Sequence, residues 1–214
     1  MKHLYKNEWH YFKRDYFLPF LIVAIITLLT AIGAYWLLTL NPGLTQGAMA
    51  ELDAHFSELG IDGGFEGDGG GSGTIDHTSL FWIILLNNLR VSLFVILFGF
   101  IPMLVLPALS PVVTASTVSI LLAFVNLNGE NPWPLFMQGI VPHGIVEMAG
   151  LILASAIGIF LSYSVILKLF SPNRGNIPLG RIIGQTFRSY ALIVVPLIVI
   201  AAVIEGFVTP LFLS

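Results

Sequence analysis

The sequence predicts an all-α, polytopic helical membrane protein with about five transmembrane helices and short amphipathic interfacial helices. Of its 214 residues, 56% are hydrophobic and 10% are charged, and the mean hydropathy is +0.89. Such a composition is typical of integral membrane proteins rather than water-soluble ones. The sequence contains no cysteine, which excludes disulfides, cysteine nucleophiles and thiolate metal sites.

Five long apolar runs are the candidate transmembrane helices. One bilayer crossing needs about 20 apolar residues, and no short core with a cleavage site occurs near the N-terminus, so the run 17–40 predicts an uncleaved first helix. The other runs cover residues 80–101, 112–127, 136–170 and 190–213. Between the second and third runs, Pro102, Pro107 and Pro111 interrupt any regular helix, which predicts either a tight turn or a re-entrant segment.

The charges of the connecting segments predict the orientation in the membrane. The segment between the first two runs holds seven acidic residues and neither Lys nor Arg. Basic residues concentrate before the first run and between the last two; they are Lys2, Lys6, Lys13, Arg14, Lys168, Arg174, Arg181 and Arg188. The positive-inside rule then predicts a multi-pass protein of the cytoplasmic membrane, with the N-terminus inside and the C-terminus outside.

The chain is therefore expected to have four parts. They are a cytoplasmic amphipathic segment (1–16), the first transmembrane helix (17–40), an acidic, Gly-rich extracytoplasmic loop (41–79) and a four-helix membrane core with a buried polar cluster (80–214). Within the loop, residues 60–73 have the composition of a flexible linker. Their acidic residues do not have the spacing of an EF-hand calcium loop.

Three segments have apolar residues at helical spacing. One lies at each basic segment and one in the acidic loop; the stripes are Tyr5, Trp9, Phe12 and Tyr16, then Leu179, Ile182, Ile183 and Phe187, then Met49, Leu52, Phe56 and Leu59. Gly60 is a suitable C-cap for the last of them. Such stripes anchor a helix to the membrane surface, and the outer stripe is alternatively a partner surface.

Six polar residues inside the apolar runs form the candidate functional cluster. They are Asn87, Asn88, Arg90, His143, Glu147 and Glu205. Charged groups in a bilayer are costly and usually face the protein interior. At about 1.5 Å per residue, the charged members on three helices lie about 10–16 Å below the outer surface. We therefore expect them to meet in one cluster.

The fourth run has a face that suits close helix packing. His143 and Glu147 are four residues apart and share this face. It continues through small residues, which are Gly150, Ala154, Gly158 and Ser162. A ridge of small residues lets another helix approach closely, so Glu147 is expected to point towards protein. The same ridge could pack a second copy of the chain, which predicts a homodimer.

Three arrangements of the cluster remain open on the sequence alone. In the first, Arg90 pairs with Glu147 or Glu205 as a structural ion bridge, completed by the asparagines. In the second, His143, Glu147 and Glu205 ligate a divalent metal, for which zinc is well suited, and leave one coordination position open. In the third, the acids relay protons or bind a solute in a transporter.

Enzyme motifs are scarce in the sequence. The pair His143 and Glu147 has a ligand spacing but lacks the second histidine of H-E-x-x-H. No serine lies in a G-x-S-x-G context, and no glycine loop resembles a phosphate-binding motif. No patch of basic and aromatic residues indicates a nucleic-acid partner. An enzyme is therefore not favoured, and no catalytic residue is assigned.

Four motifs resemble those of the stage II sporulation protein M family of bacterial and archaeal membrane proteins. They are "NN" followed by Arg90, "NLNGEN" at 126–131, "PHGIVE" at 142–147 and "IEGFVTP" at 204–210. The resemblance extends from about Leu80 to the C-terminus and includes the order of the last four apolar runs. "PHG" followed three residues later by glutamate is the most specific of these motifs.

The resemblance implies a role in the cell envelope. In endospore formers, a member of this family is implied to sit in a membrane complex with two peptidoglycan hydrolases, which thins septal peptidoglycan during engulfment. The membrane protein would then be the scaffold, and its partners would supply the hydrolytic chemistry. The predicted function is thus a scaffold or regulatory component of a peptidoglycan-remodelling complex in the lipid bilayer. The alternative is a transporter or a metal-dependent intramembrane enzyme that uses the polar cluster.

Overall fold

The computed structural model describes residues 2–58, 77–171 and 177–209, and these residues are almost entirely helical. Five helical stretches are long and apolar enough to cross a membrane. Within the described ranges there is no strand. The predicted all-α, polytopic membrane fold is confirmed.

Nine α-helices, joined in places by π-helical turns, make up the described residues. The α-helices are α1 (Lys2–Tyr11), α2 (Phe17–Leu40), α3 (Pro42–Glu58), α4 (His77–Phe98), α5 (Leu109–Leu127), the single turn α6 (Pro132–Pro134), α7 (Val141–Phe170), α8 (Leu179–Ser189) and α9 (Val195–Val203). The π-helical turns are Phe12–Tyr16, Leu135–Ile140, Tyr190–Val194 and Ile204–Val208.

The two amphipathic segments near the basic residues are continuous with the first and last spans. The first stretch runs from Tyr5 to Leu40 and the last from Leu179 to Val208. Turns with π-helical geometry, at Phe12–Tyr16 and Tyr190–Val194, join each amphipathic helix to its span without a break. The predicted end of the fifth span at Leu213 lies outside the described residues, as does Arg174.

Helix α7 is the centre of the bundle. In its apolar window 72% of the residues are buried, against 11% in the first span. The ridge of small residues explains this burial: a Cβ on Gly158 would lie 2.8 Å from the Val95 carbonyl oxygen, and one on Gly150 would lie 3.2 Å from Ile198 Cδ1. The chain's own helices α4 and α9 therefore fill the ridge. The expectation that the ridge could pack a second copy is wrong.

The proline-rich connection between α4 and α5 is a tight turn. Hydrogen bonds from the Gly99 and Phe100 amides to carbonyls three residues earlier close the end of α4. The Ser162 hydroxyl on α7 donates to the Ile101 carbonyl oxygen at 2.7 Å, which fixes this turn against the core. A short 3₁₀ helix, Leu106–Ala108, then leads into α5.

The first part of the segment expected to be an acidic loop is a helix. Helix α3 begins at Pro42, directly after the first span, because Pro is favourable in a first helical turn and the following residues include good helix formers. Its Thr45 and Met49 side chains are buried. Leu59, the expected cap at Gly60 and the linker at 60–73 lie outside the described residues.

The two basic segments meet at one end of the bundle. Arg188 on α8 pairs with Glu8 on α1 at 2.7 Å. Tyr16, which ends the N-terminal segment, is 1% exposed and packs edge-on against Phe160 near the end of α7. Phe160 is 17 residues after His143, which separates this end from the histidine by about 25 Å.

Candidate metal centre

The structure brings His143, Glu147 and Glu205 together. One ligand atom from each side chain lies within 4.8 Å of the other two. His143 and Glu147 come from the first two turns of α7, and Glu205 comes from the π-helical turn that follows α9. Two distant parts of the sequence therefore supply one imidazole and two carboxylates to a single point.

Local backbone geometry places these side chains. His143 and Glu147 are one helical turn apart, so they point the same way from α7. The π-helical turn Leu135–Ile140 directly precedes this part of α7, and a second π-helical turn, Ile204–Val208, contains Glu205. Such turns are uncommon in α-helices and are frequent at functional sites.

Thr209 fixes the orientation of the His143 ring. The ring atom Nδ1 lies 3.3 Å from Thr209 Oγ1, and Thr209 Oγ1 donates its proton to the Ile204 carbonyl oxygen at 3.3 Å. A hydroxyl has one hydrogen, so when it bonds to Ile204 the oxygen accepts from the Nδ1–H of the ring, and we assign this tautomer. The neutral ring then has its free lone pair on Nε2.

That lone pair faces the carboxylates. His143 Nε2 lies 3.8 Å from Glu205 Oε2, a separation that is too long for a hydrogen bond. Imidazole and carboxylate lone pairs directed at one another repel unless a proton or a cation lies between them. The arrangement is therefore suited to holding a positive species among the three groups.

Within the part of the chain that the structure describes, no cation of the protein pairs with the two glutamates. Among the described residues, neither Glu147 nor Glu205 forms an ion pair with Lys or Arg. Two carboxylates at this separation in a medium of low dielectric constant repel each other strongly. A divalent cation bound between them would remove that repulsion.

The structure does not bring Arg90 into the centre. Its side chain is exposed, and its guanidinium carbon lies 5.7 Å from the ring centroid of Phe94 on the same helix. The expected ion bridge from Arg90 to Glu147 or Glu205 is therefore wrong. The reason is rotational: at about 100° per residue, Arg90 lies roughly 200° around α4 from the buried Asn88.

Asn87 and Asn88 differ in exposure, because they too lie on different sides of α4. Asn87 is exposed beside Arg90, whereas Asn88 is buried. A close approach of Gly99 to Gly158 sets the register of α4 against α7. Asn88 lies eleven residues before Gly99, and Glu147 lies eleven residues before Gly158, which is about three helical turns in each helix. Asn88 therefore lies on the α7-facing side of α4, at about the depth of Glu147.

Sequence reasoning missed Thr209, which lies four residues after Glu205. The signal was present in the motif "IEGFVTP", where a hydroxyl residue follows the acid by about one turn. It also missed a polar network at the opposite end, where Glu8 accepts hydrogen bonds from Arg188 and Ser189. Those residues have the pattern of the solvent-facing side of amphipathic helices, which does not predict their burial.

Comparison with known proteins agrees with the motifs. The family model described as "Stage II sporulation protein M" matches residues 17–210. The chain belongs to the stage II sporulation protein M family. It is also similar to the uncharacterized protein MJ0793 of Methanocaldococcus jannaschii, with 33% identity over 127 residues, or 59% of this chain and 69% of that protein. No solved structure matches the chain.

Proposed function

We propose that this membrane protein binds a divalent metal ion, with zinc as the first candidate, through His143, Glu147 and Glu205. The observation that carries the proposal is the convergence of three ligand atoms within 4.8 Å. The oriented Nε2 lone pair and the lack of a cationic partner among the described residues support it. One imidazole and two carboxylates are ligands that zinc accepts.

The separations leave only a small adjustment for metal binding. Ligand atoms about 2.0–2.2 Å from a tetrahedral zinc ion lie about 3.3–3.6 Å from one another. The three ligand atoms lie within 4.8 Å of one another. Side-chain movements of about an ångström would therefore bring them to the separations found around zinc. The Glu205 side chain is 30% exposed, which leaves room for a fourth ligand on that side.

The candidate centre would suit either of two uses, and the state of the fourth coordination position distinguishes them. Three protein ligands with an accessible fourth position are typical of metal sites that activate water or bind a substrate. This is the alternative of a metal-dependent intramembrane enzyme or a transporter. A closed site whose metal only holds α7 and the last helix together would instead be structural.

Family membership favours a second, compatible proposal. The chain would act as a scaffold or regulatory component of a cell-envelope complex that remodels peptidoglycan, as in engulfment during sporulation, with peptidoglycan hydrolases as partners. Its place would be the cytoplasmic membrane, with the N-terminus inside and the C-terminus outside. The meeting of both basic segments at one end of the bundle supports this orientation. The predicted homodimer would need a surface other than the ridge on α7.

A zinc titration of chelator-treated protein tests the metal proposal. We expect one binding event per chain, lost in Glu147→Gln and Glu205→Gln. The control is Glu51→Gln, which removes an exposed carboxylate on α3 and should bind like the wild type. Equal binding by all four proteins would reject the site.

Partner capture by a folded Glu147→Gln variant distinguishes the two proposed functions. A scaffold would keep its partners in this variant. A metal-dependent enzyme or a transporter would lose its turnover or its flux.

A further inference from the structure

We infer that an exposed face of α4 docks a transmembrane helix of another protein, one that carries an Asp or Glu side chain at the depth of Arg90. This face, the α4 seam, consists of Ile83, Asn87, Arg90, Phe94 and Leu97, all of them exposed. Successive members are four, three, four and three residues apart, which is the spacing by which two helices pack along a seam. The inference deepens the scaffold proposal and is independent of the metal.

Arg90 lies deep in the span. It is 12 residues after Thr78 and 8 before Phe98, the ends of the second span, or about 18 Å and 12 Å along the helix. The turn that follows Phe98 is itself apolar, with Phe100, Ile101 and Met103 exposed. Among the described residues, the guanidinium therefore has no polar helix end towards which it can extend, unlike Lys and Arg side chains near helix ends.

The chain gives Arg90 little compensation at this depth. Within the described ranges no carboxylate pairs with it, and its contact with the Phe94 ring at 5.7 Å uses one face of the guanidinium. Five N–H donors point elsewhere, and a carboxylate can accept two of them in parallel. Asn87, one turn earlier on the same seam, offers an amide that would help to set the register of a partner helix.

A second copy of the chain does not satisfy this seam. Two copies in one membrane share the same orientation, so a symmetric pair of α4 helices is related by an axis along the membrane normal. Equivalent residues then meet at the same depth, and Arg90 would face Arg90. Like charges in a medium of low dielectric constant repel, whereas a carboxylate on a different chain would neutralise the guanidinium.

Site-specific photocross-linking of the full-length protein in its native membrane tests the inference. The probe is p-benzoylphenylalanine in place of Ile83 on the seam, with the same probe in place of Leu29 as the control. Leu29 is 63% exposed on the first span and lies away from the seam. The cross-linked peptide is identified by mass spectrometry, and the experiment is repeated with Arg90→Gln and Arg90→Lys.

We expect the Ile83 probe to capture an apolar transmembrane segment that contains Asp or Glu. Arg90→Gln should lower the yield about tenfold, the effect of losing one or two interhelical hydrogen bonds in a membrane, while Arg90→Lys keeps most of it. An unchanged thermal midpoint shows that Arg90→Gln is folded. We also expect a charge swap, in which Arg90→Glu is combined with Arg in place of the partner's acid, to restore the cross-linking yield.

Four kinds of cross-link from the Ile83 probe would overturn the inference. They are cross-links to lipid alone, to a second copy, to the chain's own residues 59–76, or to a helix without a carboxylate. Capture by the Leu29 probe but not by the Ile83 probe would leave the scaffold proposal standing and reject the seam. Capture by neither probe would count against both, and the metal proposal would be unaffected.

Discussion

The two ends of the bundle each hold a polar cluster, but the clusters differ in how their groups are satisfied. At the end with the basic segments, Glu8 pairs with Arg188 and Ser189, and the Tyr16 hydroxyl lies within hydrogen-bonding distance of Ser189. At the other end, His143, Glu147 and Glu205 present three ligand atoms to one another, and no Lys or Arg of the described residues pairs with them.

The difference separates a structural network from a binding site. In the network, donors and acceptors are matched; Gln185, for example, donates to the Tyr16 hydroxyl at 3.0 Å and to Asp15 at 3.2 Å. In the candidate metal centre, acceptors outnumber donors, and the one oriented ring presents a lone pair. A matched buried network stabilises a single structure, whereas an excess of acceptors lowers its energy by binding a proton or a cation.

The largest expected effect is the loss of metal binding in Glu147→Gln. The substitution removes one of three protein ligands, and we expect the affinity for zinc to fall by more than about a hundredfold, because even loss of an outer partner costs up to that much. The stability of the metal-free protein should change little or rise, since the substitution removes one of two repelling carboxylates. Zinc titration and thermal unfolding in detergent measure the two quantities.

Next in size is the effect of Glu8→Gln on stability. The carboxylate of Glu8 is 1% exposed and its loss leaves Arg188 without its partner, but the Arg188 side chain is 39% exposed and regains water. We therefore expect a loss of about 2 kcal/mol in the free energy of unfolding, below the value for a fully buried pair. Zinc affinity should stay at the wild-type value; a parallel loss of zinc would contradict the separation of the two clusters.

A smaller effect is expected at the metal centre for Thr209→Val. The valine keeps the shape but cannot accept from His143 Nδ1, so the ring loses its fixed orientation. We expect the zinc affinity to fall about tenfold, as for other partners that orient a ligand. Thr209→Ser retains the hydroxyl and is the matched control, and equal affinities of the two variants would show that Thr209 has no part in the site.

The smallest effect is expected for Ser189→Ala in the structural network. Ser189 donates to the Glu8 carboxylate, and removal of this hydrogen bond costs about 1 kcal/mol because Arg188 still pairs with the carboxylate. Thermal unfolding should show this loss with zinc affinity unchanged. A stability equal to that of the wild type would mean that the network contributes nothing at this position.

Much of the fold could be predicted from the sequence, because the length of each apolar run decides whether it can cross a bilayer. The grouping of the three candidate ligands was predictable in part. Helical spacing placed His143 beside Glu147, and equal depth indicated that Glu205 could join them. The depth of a residue in the membrane does not show which way its side chain points around the helix axis. For this reason the expected pairing of Arg90 with the acids was wrong.

Other features depend on contacts that regular helical periodicity does not predict. Thr209 reaches the His143 ring through a π-helical turn, in which its amide bonds to Ile204 five residues earlier at 2.8 Å. Regular α-helical periodicity does not predict such a turn. Glu8 and Arg188 lie 180 residues apart, so only the packing of α1 on α8 brings them together.

Elemental mass spectrometry of the protein purified without chelator tests whether His143, Glu147 and Glu205 bind a metal ion. We expect close to one zinc or another divalent ion per chain in the wild type, with loss of that ion in His143→Ala and in Glu147→Gln but not in Glu8→Gln. A folded wild-type protein without bound metal, and without affinity for added zinc, would rule out the proposed site. The same ion in all four proteins would also rule it out, because the metal would then lie elsewhere.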